Sequence, residues 1–299
     1  MKFLIIGSGG FIGSHLVEYF STNPENSISG CDVRPNPLHP DFTVVDKFES
    51  DYESIFSKTQ YDVCIYAGGN GSVPYSIENP EHDFHLNTYT LSRVLTAIRK
   101  FQRSCKFLHI SSAAVYGSPK SLPITEQSPV QPLSPYGWHK YLSETLCREY
   151  HSLYKIPTLS MRVFSVYGER LQKQIFWDIY QKMLTSDSIT LFGTGKESRD
   201  FINIRDFVRA VELIINKASF QGEVINVASG IETTIEEAST IMCRLYNSKI
   251  NINFNQETKP GDPTNWRADT GILKQFGFTP LTSLEQGLEK YVQWLKERE

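Results

Sequence analysis

The chain has 299 residues, of which 40% are hydrophobic and 21% are charged, a composition typical of a globular protein and not of a disordered or fibrous one. Its 33 acidic residues outnumber its 30 basic ones. The net charge of −3 argues against a nucleic-acid-binding protein, because surfaces that bind by counterion release are usually basic. No apolar run reaches the roughly 18 residues of a spanning helix, so no membrane partner is expected.

The cysteines point to a reducing environment. The five cysteines are scattered and form no C-x-x-C pair, so we expect neither a disulfide framework nor a metal site. This usage fits a cytoplasmic protein. The apolar residues 3–6 run directly into glycines, which indicates a strand and not a signal peptide.

The first half of the chain alternates apolar runs with amphipathic segments. Short apolar runs predict buried strands at residues 2–6, 27–31, 43–45, 63–66, 107–110 and 158–163. Apolar residues at helical spacing predict helices at 12–20, 87–101 and 136–154. Because this alternation is typical of a parallel sheet covered on both faces, we predict an α/β fold with a Rossmann-type doubly wound parallel sheet.

The rhythm changes after about Ser165. Helices are predicted at 175–184, 234–246 and 284–296, a strand at 223–227 and a turn-rich stretch at 259–264. We therefore predict a dinucleotide-binding domain at 1–165 and a smaller C-terminal mixed α/β lobe at 166–299, which mainly binds substrate. Part of that lobe, about 200–230, is expected to return to the first domain.

A glycine-rich segment follows the first strand. Gly7, Gly10 and Gly13 form a G-x-x-G-x-x-G pattern. Such glycines permit a tight turn, close approach to a diphosphate and packing of the next helix against the sheet. The same pattern can serve as a plain turn, but the strand before it and the helix after it favour a phosphate loop.

The second predicted strand ends near an acid. Asp32 lies 19 residues after Gly13, about where a carboxylate binds the hydroxyls of an adenosine ribose. An aspartate is also a common turn residue after a strand. A carboxylate there would repel a 2′-phosphate, so NAD is favoured over NADP, although Arg34 keeps NADP open.

Tyr136 and Lys140 share one face of a predicted helix, since they are spaced i and i+4. The lysine cation, together with a positive nicotinamide ring, would favour a phenolate that takes a hydroxyl proton at neutral pH. Alone, such a pair is more often a coincidence on an amphipathic helix. Ser112, at a predicted strand end, is placed to bind the same substrate oxygen or simply to cap the strand. The combination of all three argues against coincidence.

Three segments resemble the extended short-chain dehydrogenase/reductases, and the likeness runs from Lys2 to about Trp294. They are Gly-Ser-Gly-Gly-Phe-Ile-Gly at 7–13, Ser-Ser-Ala-Ala-Val-Tyr-Gly at 111–117 and Ser-Pro-Tyr-Gly-x-x-Lys at 134–140. The chain looks most like the NAD-dependent nucleotide-sugar epimerase/dehydratase family, whose best-known member is UDP-galactose 4-epimerase. The resemblance implies an NAD-dependent enzyme that binds a nucleoside-diphosphate sugar and dimerises through the helices predicted at 87–101 and 136–154.

The resemblance also implies roles for individual residues. Tyr136 would be the acid/base, Lys140 would hold the ribose and lower the pKa of Tyr136, and Ser112 would orient the sugar hydroxyl. Asn87 matches a helix asparagine usual in the family, but a plain helix N-cap fits it equally well. The implied cofactor contacts are Gly7, Gly10, Phe11, Ile12, Gly13, Asp32, Arg34, Asp46, Lys47, Tyr66, Ala67, Gly68, Asn87, Ser111, Tyr136, Lys140 and Phe164.

The implied substrate contacts are Ser112, Ser165, Arg199, Lys259, Asp262 and Trp266. Arg199 matches an arginine that meets the nucleotide phosphates, and a guanidinium suits a diphosphate because it donates two parallel hydrogen bonds. Lys259 stands where the family usually has arginine, and Ser165 where it usually has asparagine. The bulky Trp266 would disfavour N-acetylated sugars.

Two residues narrow the expected chemistry. Ala113 and Ala114 stand where the sugar 4,6-dehydratases of the family carry an Asp-Glu pair, so elimination lacks its acid/base groups. The sequence therefore predicts an epimerase that acts at C4 through a transient 4-keto sugar. The alternatives are a 4-ketosugar reductase that consumes NAD(P)H and a non-catalytic dinucleotide sensor, although such sensors typically lose the tyrosine or the lysine.

Overall fold

The computed structural model of the protein describes residues 1–35, 41–257, 261 and 263–298. The strands are β1 (Lys2–Ile6), β2 (Ser27–Asp32), β3 (Phe42–Val44), β4 (Val63–Tyr66), β5 (Lys106–Ser112), β6 (Thr158–Val163), β7 (Ser165–Tyr167), β8 (Ser188–Leu191), β9 (Ser198–Asn203), β10 (Gln221–Val227), β11 (Glu232–Thr234) and β12 (Asn251–Phe254). The α-helices are α1 (Phe11–Ser21), α2 (Tyr52–Lys58), α3 (Val73–Glu78), α4 (Pro80–Phe84), α5 (Thr90–Phe101), α6 (Pro135–Tyr154), α7 (Gln174–Met183), α8 (Ile204–Lys217), α9 (Ile235–Tyr246), α10 (Gly271–Gln275) and α11 (Leu284–Lys296).

A seven-stranded sheet organises the first compact unit, which comprises Met1–Gly117, Pro129–Val163 and Glu212–Ile225. Its strand order is β10-β6-β5-β4-β1-β2-β3, and the neighbouring pairs from β6 to β3 are parallel. The chain runs outward from β1 to β3 and then returns to place β4 on the other side of β1. The carboxyl ends of β1 and β4 thus flank the point where the strand order reverses, which is where such sheets bind ligands. The predicted doubly wound sheet is confirmed.

The burial of the strands explains the sheet. Every residue of β4 and β6 is buried, as expected for parallel strands covered on both faces. Helix α5 buries Leu91, Leu95 and Ile98 in the hydrophobic core on one side of this sheet. The apolar face of α5 and the buried strands therefore share one hydrophobic core.

The second compact unit comprises Ser118–Ser128, Phe164–Val211 and Asn226–Glu299. It contains a mixed three-stranded sheet, in which β9 pairs with β7 in parallel and with β11 antiparallel, and a parallel pair, β12 with β8. Aromatic side chains form part of its core: Phe176 packs against Tyr167, Phe201 and Tyr291. The domain division at residue 165 stays a prediction.

Several elements have the bounds predicted from the sequence, namely β1, β4, β6 and α11. Helix α8 was not predicted. Its buried apolar residues Ile204, Phe207 and Ile214 do follow helical spacing, but they start inside the Arg-Asp-Phe segment, directly after β9. Within the described part of the chain, no helix is both long and apolar enough to cross a membrane.

Candidate active site

The glycines after β1 hold a turn that no side chain would fit. Gly7 has φ +83°, and a β-carbon on it would lie 2.7 Å from the carbonyl carbon of Ala67. A β-carbon on Gly13 would lie 2.0 Å from the carbonyl oxygen of Gly7. Both values are far below contact distance, so the turn and the packing of α1 against it require glycine.

The N-terminus of α1 is open to an anion. Its N-cap residue, Gly10, has no side chain to accept a hydrogen bond, and the first turn contains no acid. The N–H groups of Phe11 and Ile12 lie in this first turn, where an α-helix offers no carbonyl partner. These donors and the positive end of the helix dipole together suit a phosphate group.

The carboxylate of Asp32 lies against the glycine turn. One oxygen accepts a hydrogen bond from the N–H of Gly9 at 2.9 Å, and the other accepts from the N–H of Val33 at 2.7 Å. Each oxygen keeps a further lone pair for a ribose hydroxyl. Arg34 is exposed two residues later.

Asp46 shapes a turn after β3. It accepts hydrogen bonds from the N–H groups of Phe48 and Glu49, both at 2.8 Å, and these bonds lower the pKa of its exposed carboxyl. Lys47 is exposed, with its ammonium 5.2 Å from the ring of Phe48. The second carboxylate oxygen of Asp46 accepts no hydrogen bond within the described residues and suits an adenine amino group.

The segment after β4 divides into a buried and a surface part. The ring of Tyr66 is fully buried, and its hydroxyl donates to the carbonyl of Leu86 at 3.1 Å. Ala67 donates its N–H to Ile6, which keeps this segment beside the glycine turn, and Gly68 is half-buried. The side chain of Tyr66 therefore belongs to the core, while the backbone at Ala67 and Gly68 remains near the predicted cofactor site.

Asn87 lies within a π-helical turn, His85–Tyr89, between α4 and α5, so it is not a helix N-cap. It is fully buried, and its Nδ2 donates to Asp83 at 3.0 Å. Its Oδ1 is buried and has no hydrogen-bond partner among the described residues. That oxygen lies 2.4 Å from where a β-carbon on Gly69 would be, at the loop after β4.

The two serines at the end of β5 have different partners. Ser111 donates its hydroxyl to the buried carboxylate of Glu144 at 2.6 Å, and Glu144 is paired with Arg162 at 2.7 Å. Its side chain is thus committed to a buried polar network. Ser112 accepts from the N–H of Ala114 at 3.1 Å and hydrogen-bonds the phenol of Tyr136. Its side chain therefore caps the short 3₁₀ helix Ala113–Tyr116, and not the strand itself, and it contacts the tyrosine.

Tyr136 is half-buried in the first turn of α6. Burial raises the pKa of its phenol, the hydrogen bond with Ser112 lowers it, and the carboxylate of Asp83 raises it. Lys140 is buried, with its ammonium 5.9 Å from the centre of the Tyr136 ring and donating to the carbonyl of Ile110 at 3.0 Å. The predicted trio of serine, tyrosine and lysine is therefore brought together.

In the second unit, Phe164 and Trp266 are buried and pack edge to face with centroids 5.7 Å apart. Ser165 is half-buried at the start of β7. The guanidinium of Arg199 lies 5.6 Å from the ring of Trp266. Lys259 and Asp262 lie outside the described residues.

Three residues near this site, Asp83, His139 and Asn70, were not singled out from the sequence. Asp83 is fully buried and lies close to His139 and Asn70. An acid in the first turn of a helix is an ordinary stabilising feature, so its sequence position carries no distinctive signal. For His139, the one available sequence signal was its position between Tyr136 and Lys140 in the segment Tyr-Gly-Trp-His-Lys.

The comparisons with known proteins agree with one another. A model of the NAD dependent epimerase/dehydratase family matches residues 3–228. A putative UDP-glucose 4-epimerase from Methanocaldococcus jannaschii is 31% identical, over 98% of both chains. An uncharacterized UDP-glucose epimerase from Bacillus subtilis is 30% identical, over 99% of this chain and 98% of its own. The UDP-glucuronic acid 4-epimerase from Bacillus cereus, solved with UDP-glucuronic acid and NAD, is 28% identical, with a TM-score of 0.91 over 100% of both chains.

Proposed function

This chain belongs to the NAD-dependent epimerase/dehydratase family, and we propose that it is a nucleotide-sugar epimerase that inverts C4 through a transient 4-keto sugar. The observation that carries the proposal is the grouping of Ser112, Tyr136 and Lys140. Ser112 hydrogen-bonds the phenol, and the ammonium of Lys140 lies 5.9 Å from the ring. A tyrosine in the first turn of α6 that hydrogen-bonds a serine at the end of β5 suits proton transfer at a sugar hydroxyl.

The residues of the first unit fit a dinucleotide. The glycine turn excludes side chains at Gly7 and Gly13, α1 begins without a cap, and Asp32 lies against that turn. The Oδ1 of Asn87, which lies beside Gly69 in the loop after β4, is a further acceptor. We infer NAD and not NADP, because the carboxylate of Asp32 would repel a 2′-phosphate.

NAD supplies the hydride chemistry when it is bound. Tyr136, as phenolate, accepts the proton of the C4 hydroxyl and later returns a proton to the same oxygen. Burial raises the pKa of the Tyr136 phenol, and the hydrogen bond with Ser112 lowers it. We propose that the nearby ammonium of Lys140, together with the positive nicotinamide ring, would favour the phenolate in the complex. Ser112 holds the sugar oxygen near the phenol. Since the hydride is returned, the enzyme needs no net oxidant.

We propose a UDP-sugar as the substrate, because the relatives named above are described as UDP-sugar epimerases. Arg199 supplies a cation for the diphosphate, and Trp266 supplies a bulky wall against N-acetylated sugars. Ala113 and Ala114 provide no acid/base pair for elimination, so the chain is not assigned to the dehydratases.

We also propose that the enzyme is a homodimer that uses α5 and α6. Large apolar or aromatic side chains are exposed just before α5 and along α6: Tyr89, Trp138, Leu142 and Leu153. A second copy that packed its own helices here would bury them.

The substitution Tyr136→Phe tests the function. We expect kcat with UDP-glucose, UDP-galactose or UDP-glucuronic acid to fall by at least about 100-fold, because the acid/base is lost. Binding of NAD and the melting temperature should stay close to wild type, since the ring is kept. The matched control is Tyr141→Phe, on the same helix, which should keep full activity. NMR of the products identifies the epimer.

Two results would contradict the proposal. One is near wild-type turnover by Tyr136→Phe. The other is stoichiometric loss of the 340 nm absorbance of NADH with a 4-keto sugar and no epimerisation, which would identify a reductase.

A further inference from the structure

A fully buried carboxylate lies beside the proposed catalytic residues. One oxygen of Asp83 accepts from Asn70 Nδ2 at 2.6 Å and from Asn87 Nδ2 at 3.0 Å. The other accepts from His139 Nδ1 at 2.6 Å, in a pair whose histidine side chain is only 13% exposed. A buried carboxylate is costly unless it is paired and hydrogen-bonded, and three donors from three segments meet this need.

The histidine connects this carboxylate to the catalytic helix. His139 lies on α6 between Tyr136 and Lys140. Its carbonyl accepts hydrogen bonds from the hydroxyls of Thr88 at 3.0 Å and Ser143 at 2.8 Å. His139 is therefore hydrogen-bonded through its side chain to Asp83 and through its carbonyl to Thr88. These bonds hold the turn of α6 that carries Tyr136 against the π-helical turn.

The same carboxylate sets the orientation of two amides. Because Asn87 donates its Nδ2 to Asp83, its Oδ1 faces the other way, toward Gly69, and stays an acceptor. Asn70 donates to Asp83 and accepts from the N–H of Ser72, which fixes the loop after β4. One carboxylate therefore orders a loop, a π-helical turn and a helix.

We propose that Asp83 is a positioning residue for the epimerase reaction: it holds Tyr136 through His139 and turns the free oxygen of Asn87 toward the cofactor site. This assignment rests on the proposed function. Misplacing a catalytic group by about 1 Å can cost about 100-fold in rate, so an anchor that ties three segments affects kcat without touching the substrate.

The charge of Asp83 and its hydrogen bonds are expected to affect Tyr136 in opposite directions. The negative charge of Asp83 raises the pKa of Tyr136, the ammonium of Lys140 lies 5.9 Å from the centre of the tyrosine ring, and His139 faces the carboxylate. Removing the charge should therefore ease ionisation of the phenol. Removing the anchor should slow turnover.

The substitution Asp83→Asn separates the two effects, because the amide keeps the size of the carboxylate and loses its charge. We expect kcat to fall about 10- to 100-fold, with KM for the UDP-sugar within about 3-fold of wild type. Ionisation of Tyr136 is followed at 295 nm as the difference between each protein and its Tyr136→Phe counterpart. It should shift to lower pH. An unchanged or increased kcat would overturn the proposal, because Asp83 would then act through charge alone.

Variants of the histidine test the anchor even where Asp83→Asn folds poorly. In His139→Asn the amide nitrogen can replace the Nδ1–H donor, so kcat should stay within about 3-fold of wild type, whereas His139→Leu should lose about 10-fold or more. His151→Leu, near the end of the same helix, is the control and should keep its kcat. Equal kcat in His139→Asn and His139→Leu would overturn the proposal.

The proposed function can fail separately. A wild-type enzyme that converts no UDP-sugar would contradict the function, whereas the 295 nm titration reads the link between Asp83 and Tyr136 without any turnover. Full dependence of kcat on Tyr136 together with none on Asp83 would contradict only the positioning role.

Discussion

A single methyl group at Gly13 would collide with the backbone of the loop it packs on. Its carbon would lie 2.0 Å from the carbonyl oxygen of Gly7, whereas a β-carbon on Gly10 meets that oxygen at 3.3 Å. The two glycines therefore serve different needs. Gly13 lets α1 reach the sheet, and Gly10 leaves space before the helix N-terminus.

We predict that Gly13→Ala lowers the free energy of unfolding by about 1–3 kcal/mol, as overpacking of a tight contact does. Gly10→Ala should cost less stability but weaken NAD binding, because its methyl group would occupy the approach to the N–H groups of α1. Urea unfolding and calorimetric NAD titration measure the two effects. Equal stability of Gly13→Ala and wild type would contradict this account of the turn.

The sequence predicted which residues form the candidate site better than it predicted the contacts of individual side chains. The grouping of Ser112, Tyr136 and Lys140 followed from their spacing and strand-end position. The orientation of Tyr66 and Ser111 did not, because alternation along a strand does not say which polar group a buried hydroxyl will meet. Asp83 was missed because burial of a helix acid depends on the donors that surround it in the fold.

At the scale of elements, the helices α6 and α11 both begin with a serine cap. Ser134 Oγ accepts from the N–H of Gly137 at the start of α6, and Ser283 Oγ accepts from the N–H of Gln286 at the start of α11. Only α6 carries proposed catalytic residues. Both serines accept the same kind of backbone hydrogen bond, and at α11 the side chain of Gln286 also accepts from the N–H of Ser283.

We predict that Ser134→Ala and Ser283→Ala each lower the free energy of unfolding by about 1 kcal/mol. Only Ser134→Ala should also reduce kcat, because Tyr136 lies in the turn that this cap holds. Denaturant unfolding and steady-state kinetics measure both quantities. An equal loss of kcat in the two variants would show that stability, and not the turn itself, sets the rate.

Hydrophobic periodicity located the long helices and most strands of the first unit, and it missed where the helix ending at Phe101 begins. That helix continues backward through the π-helical turn to Pro80. A π-helical turn shifts the periodicity by one residue, so the pattern on the two sides does not fit one helical stripe. The short strands β7 and β11, of three residues each, are too brief for a periodic signal.

At the scale of the whole molecule, the proposed dimer depends on the exposed apolar side chains of α6. We predict that Leu142→Glu and Leu153→Glu together shift the protein from dimer to monomer, because two charges per copy would be buried against a partner. Sedimentation velocity at micromolar concentration measures the change. Leu281→Glu is the control, since Leu281 is as exposed but lies in the second unit. A wild-type protein that sediments as a monomer would contradict the dimer.

The mild acidity of the chain is compatible with two diphosphate ligands. Backbone N–H groups and a helix N-terminus bind phosphate without any net positive charge. Few cations are then required: Lys140 within the first unit and Arg199 within the second supply local charge in a protein whose net charge is −3. The net charge therefore argues against nucleic-acid binding, but it gives no information about whether the protein binds a small anionic ligand.

The way the chain divides between the compact units has a consequence for synthesis on the ribosome. The first unit draws on Met1–Gly117 and Pro129–Val163, but it is completed by Glu212–Ile225. The sheet therefore lacks its β10 edge while most of the intervening chain is being made, and β6 presents unpaired backbone groups during that time. The nascent protein therefore carries an open strand edge until β10, which ends at Val227, has left the exit tunnel, and unpaired strand edges of this kind favour aggregation.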